Sequence, residues 1–101
     1  MKIITAQVSV NAEHWDAARE LAEAHSRASR DEPGCLSHDW FPHPSEAHTI
    51  FFFERWRDQA AIDEHFARPH SARLVTSFQG WARSSPTLRI LDVGDVQEIG
   101  L

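Results

Sequence analysis

The sequence predicts an α+β domain in which one antiparallel sheet carries two helical regions on a single face, and three observations lead there. The most apolar run, Ile50-Phe51-Phe52-Phe53-Glu54-Arg55-Trp56, is aromatic and bounded by polar segments, as a central strand apolar on both faces would be. Residues 2–10 and 87–93 alternate their side chains around β-branched positions. Residues 12–30 and 58–78 instead repeat apolar residues at helical spacing.

In residues 2–10, alternation sets Ile4, Ala6, Val8 and Val10 on one face and Ile3, Thr5, Gln7 and Ser9 on the other. Asn11 is placed to cap a helix over residues 12–30, with Glu13 and Asp16 in the first turns where the helix dipole favours acids. Its sheet-facing arc is Trp15, Ala18, Leu21, Ala22, His25 and Ala28 or Ser29. Glu32-Pro33-Gly34 ends the helix, because proline cannot continue it and glycine accepts left-handed angles. A strand over residues 35–41 then places Leu36, His38 and Trp40 on one face, and Cys35, Ser37, Asp39 and Phe41 on the other.

The proline-rich connection over residues 42–46 returns the chain antiparallel into the central strand. There Ile50, Phe52, Glu54 and Trp56 share one face, and Phe51, Phe53 and Arg55 the other. Glu54 on so apolar a face either pairs with an arginine or looks into a ligand pocket. Asp58 caps the next helix, which carries Ala61, Ile62, His65 and Phe66 on one side until Pro69 interrupts it. A second piece over residues 71–78 adds Leu74, Val75 and Phe78, and the last strand follows after Pro86. The tail over residues 94–101 extends that strand, adds an edge to a neighbouring subunit or stays loose.

This order of elements is the ferredoxin-like βαββαβ arrangement. It leaves Phe51 and Phe53 on a sheet face with no helix to cover it, so a homodimer formed by two such faces is expected. The 101 residues make one domain, with its core over about residues 2–93, large enough to fold without a metal or disulfide. A net charge of −5, with nine arginines and one lysine scattered among fifteen acids, argues against nucleic acid and acidic lipid as partners. No stretch approaches membrane-spanning length, and residues 1–8 are too short and interrupted for a signal peptide. The single Cys35 points to a reducing, cytoplasmic compartment and reads as a buried, inert thiol.

Three motifs carry a family resemblance: Ser29-Arg30-Asp31-Glu32-Pro33-Gly34-Cys35-Leu36, Glu54-Arg55-Trp56-Arg57-Asp58-Gln59-Ala60-Ala61, and His65-Phe66-Ala67-Arg68-Pro69-His70. Together, over roughly residues 2–93, they resemble the antibiotic biosynthesis monooxygenase family, small dimeric α+β barrel proteins that include quinol monooxygenases. The resemblance implies oxidation of a small aromatic molecule by dioxygen without flavin, haem or metal. In keeping with that, the chain has no glycine-rich dinucleotide loop, phosphate loop or CxxC pair. The haem-degrading relatives carry an asparagine on the first strand, where this chain offers Ala6 or Gln7. An isomerase, or a dimer that binds a ligand without altering it, stands as the alternative on the same scaffold.

His65 is the candidate base, since an imidazole facing the sheet titrates near working pH. The plainer reading makes it a core-edge histidine bonded to a carboxylate such as Glu54. Trp56, Phe66, His25, His38 and Trp40 are the candidate substrate-binding residues, around a pocket near the break at Pro69. A metal site is not expected from the seven histidines, because none shows the helical i, i+3 or i, i+4 spacing of dedicated ligands.

Overall fold

The computed structural model describes residues 1–101. Four strands, β1 (Lys2–Ser9), β2 (Cys35–Pro42), β3 (Thr49–Trp56) and β4 (Thr87–Asp92), form one antiparallel sheet in the order β2-β3-β1-β4. Three helices complete the chain: α1 (Trp15–Arg30), α2 (Gln59–Ala67) and α3 (Pro69–Trp81). The register pairs Ile4 with Glu54, Ala6 with Phe52 and Val8 with Ile50, so the helix-facing side chains of β1 and β3 meet in one layer.

Two clusters fill the space beneath the helices. Val8, Val10, Ala18, Ala22, Ile50, Phe52 and Phe78 form the larger. Ile4, Trp56, Ala61 and Ile62 form the smaller, with Cys35 packed against it. On the opposite face Phe51 and Phe53 are half-buried and Phe41 is exposed, and Phe41 pairs with Phe51 across the strands.

Several local features depart from the sequence expectation. A 3-10 turn over Ala12–His14 precedes α1, and the Asn11 side chain caps nothing there; its Nδ2 donates to the Trp81 carbonyl at 3.4 Å. A β-bulge between Cys35 and Ser37 shifts the register at the start of β2. It turns Leu36 out to solvent and Cys35 toward Trp56, reversing the expected alternation. Pro69 opens α3 instead of preceding it, since a first-turn position needs no N–H, and α3 runs on through Gly80 to Trp81. Arg68 before it is extended at φ −74° and ψ 145°, as the residue preceding a proline should be. Asp58 caps α2 by accepting from the Ala61 N–H at 2.9 Å. Residues beyond Val93 have no regular structure, and no helix is long and apolar enough to cross a membrane.

Candidate active site

The break between α2 and α3 turns two histidines toward one carboxylate. His65, near the end of α2, and His70, in the first turn of α3, both reach Glu32, which follows α1. His65 Nδ1 lies 3.1 Å from both Glu32 oxygens and His70 Nε2 lies 2.7 Å from Oε2. Arg68, between them, brings Nε to 3.1 Å from Oε1. Glu32 is buried, so these three cationic or polar partners replace its lost hydration.

The proton positions follow from that carboxylate. An ionised carboxylate only accepts, so His65 Nδ1 and His70 Nε2 carry the hydrogens. His70 Nδ1 and His25 Nδ1 stand 2.9 Å apart, so one of the two carries the hydrogen between them. Neutral His65, with its hydrogen on Nδ1, presents Nε2 as a bare lone pair. His38, fully buried on β2, is held by Ser26 Oγ at 2.8 Å from its Nδ1.

Glu54 lies on the far side of these rings. Its Oε1 accepts the Trp56 indole N–H at 2.9 Å and sits 3.3 Å from His38 Nε2 and 3.9 Å from His65 Nε2. No arginine pairs with it, in contrast to one of the sequence readings. Burial, eased by the indole hydrogen bond, raises its pKa to about 7. Burial pushes His25 down to about 3 and His38 to about 2, each lowered further by neighbouring imidazoles. His65 is also lowered by burial, against the opposing pull of Glu32. Half-buried Cys35 is raised to about 11, chiefly by desolvation, so its thiol stays protonated.

A cavity of about 270 Å³ opens beside the cluster, between the sheet and the α2–α3 pair. Phe52, Phe66, Leu74, Val75, Phe78 and Leu88 make its apolar walls, while His25, Glu54, His65 and Ser71 form a polar end. His65, His25 and Phe66, three of the residues singled out from the sequence, thus border one space. Trp56 and His38 stand behind it: Trp56 packs on the His65 ring at 4.6 Å between centroids, and His38 on His25 at 5.0 Å. Trp40 points elsewhere, with its indole N–H donated to Glu23 at 3.1 Å. Glu32 and His70 escaped the sequence reading of the site. The one signal for Glu32 was an acid held next to a Pro-Gly turn, and for His70 a histidine next to a helix-breaking proline.

A single antiparallel sheet roofed by helices, with a mostly apolar cavity bordered by His25, His65 and Glu54, defines a ferredoxin-like α+β protein with a candidate small-molecule site. The chain belongs to the antibiotic biosynthesis monooxygenase family, whose model matches residues 1–77 and so includes the whole histidine–carboxylate cluster. A crystal structure of an antibiotic biosynthesis monooxygenase is 30% identical, with a TM-score of 0.87 over 94% of this chain and 100% of that one. A Deinococcus radiodurans protein provisionally assigned to the same class superposes with a TM-score of 0.91 at 23% identity, covering 99% of each chain, which bears on the fold alone. Among relatives by sequence, an uncharacterized protein of Synechocystis sp. is 25% identical over 96% of this chain and 66% of its own length. Rv0793 of Mycobacterium tuberculosis, provisionally named a monooxygenase, is 37% identical over 54% of this chain and 52% of its own length. The chain therefore spans between half and two thirds of these two relatives.

Proposed function

We propose that this protein is a monooxygenase that oxidises a small hydroquinone or polyphenol with dioxygen, acting as a homodimer and without an added cofactor. The observation that carries this reading is the cavity itself, mostly apolar in surface, with the titratable His25, Glu54 and His65 in its lining beside Gln7, Gln79 and Thr87. Such a space holds an aromatic ring and keeps water from it, and its polar end meets a ring hydroxyl. The bare Nε2 of His65 accepts the phenolic proton, and the Glu32 carboxylate on Nδ1 stabilises the imidazolium that forms. The electron-rich phenolate then reduces dioxygen. One oxygen atom replaces a ring hydrogen and the other leaves as water, so a hydroquinone becomes a hydroxyquinone with no outside reductant. The apolar walls favour this over isomerisation of a sugar-like substrate, which needs polar groups all round.

The test is oxygen uptake by chelator-treated protein with a panel of hydroquinones and polyphenols, corrected for autoxidation. Uptake above the blank is expected, and His65→Ala should lower it by about 100-fold or more. No uptake across the panel overturns the reading. Full activity in His65→Ala would remove His65 from the mechanism.

A further inference from the structure

We propose that His25, His38, His65 and Glu54 form a binding site for one divalent first-row transition-metal ion. One nitrogen of each of the three rings lies within 4.8 Å of a nitrogen of the other two, and all three residues are buried. Each ring is also held at Nδ1: His25 by His70, His38 by Ser26 and His65 by Glu32. That pattern is the one metal-binding histidines use, with one nitrogen on the ion and the second held by a neighbour that fixes ring orientation.

Nε2 of His38 and of His65 both approach one oxygen of Glu54. His38 Nε2 is buried without a hydrogen-bond partner, a position that is unfavourable unless something fills it. Its 3.3 Å separation from Glu54 Oε1, and the 3.9 Å from His65 Nε2 to the same oxygen, are too long for good hydrogen bonds. The first suits two atoms bound to a common ion, which at metal–ligand lengths near 2.0–2.1 Å stand about 3.4 Å apart in a tetrahedral site. The Trp56 indole then orients the Glu54 oxygen. Glu32, His65 and His70 also cluster, but their contacts of 2.7–3.1 Å are already satisfied hydrogen bonds, so that group serves as the outer support. Imidazole donors with one carboxylate select ions such as zinc, iron, cobalt or nickel over magnesium and calcium. Because His25, His65 and Glu54 border the cavity, the ion would stand at its edge. An ion would occupy the Nε2 lone pair of His65, so metal loading and base-driven oxidation are separable states of one site.

The experiment titrates tag-free, chelator-treated protein with Co(II), followed by visible absorption, and with Zn(II), followed by calorimetry. One ion per chain is expected, with d–d bands of a nitrogen-rich site. Ser26→Ala, which removes only the anchor of His38, should weaken binding about 10- to 100-fold. Glu54→Gln should weaken it by at least about as much, and a His43→Ala/His48→Ala variant on the hairpin should bind like the parent. His38→Ala should abolish binding if circular dichroism shows it folded, and Ser26→Ala carries the test if it does not. Absence of stoichiometric binding to the parent protein overturns the proposal. So does affinity unchanged in Ser26→Ala and Glu54→Gln but lost with the hairpin histidines. Neither readout depends on oxygen uptake, so the metal site and the oxidation stand or fall separately.

Discussion

At the scale of single residues, the buried histidines make stability depend on pH in a definite direction. His25 and His38 stay neutral down to about 3 and about 2, whereas an unfolded imidazole takes a proton near 6.5. Below that value the unfolded chain binds protons the native chain refuses, so stability is intact above it and falls as pH drops. Glu54 acts oppositely: raised from 4.5 to about 7, its carboxyl is protonated in the native chain first, and it favours the native chain as pH falls through that interval. His65, also lowered, joins the two other imidazoles, and three such groups outweigh one carboxyl. Metal-free protein should therefore lose about 1.4 kcal/mol per pH unit for each net proton below pH 6.5. Urea midpoints at pH 7.5 and pH 5.0 test this; an equal or higher midpoint at pH 5.0 contradicts a neutral cluster. His25 and His65 were legible in the sequence because helical spacing states which way they face. Glu32 and His70 were not. They sit at a helix end and beside a proline, where periodicity says nothing of direction and only the folded path of the chain brings them together.

Among the elements, the turn from α1 into β2 holds the site's shape. Gly34 adopts φ +84°, and a Cβ there would stand 2.6 Å from the Ala61 Cβ of α2. Its carbonyl also receives the Arg57 N–H at 2.8 Å, joining the start of β2 to the segment that leads into α2. Gly34→Ala should destabilise the protein by about 1–2 kcal/mol from the left-handed backbone alone, with the clash adding to it. Gly34→Ala/Ala61→Gly should recover the clash but not the backbone strain, and urea unfolding of both variants separates the two. A double variant no more stable than the single, after the loss in Ala61→Gly alone is subtracted, would assign the whole loss to the backbone. This turn and the Asp58 cap were readable because local chemistry dictates them. The bulge that exchanges Cys35 and Leu36 was not, since it depends on how β2 meets β3, nor was the bond from Asn11 to a carbonyl seventy residues away.

For the whole molecule, the sheet face opposite the helices bears Phe41, Phe51 and Phe53, with Leu91 exposed beside them on β4. Light scattering at micromolar concentration is expected to give twice the chain mass, and Phe53→Glu to halve it by placing a charge on that face. A monomeric parent protein would contradict the homodimer. The arrangement of strands carries one more consequence. β4 is paired on one side only, from Lys2 opposite Asp92 to Gln7 opposite Thr87, and all six of its residues are exposed. Such a strand opens locally without disturbing the two core clusters, which lie elsewhere. Thr87 and Leu88 are part of the cavity wall, so each fraying of β4 unlatches the chamber. Amide hydrogen exchange should run faster in β4 than in β3, and slow selectively when a ligand is seated. Equal protection of the two strands would contradict local opening of this edge.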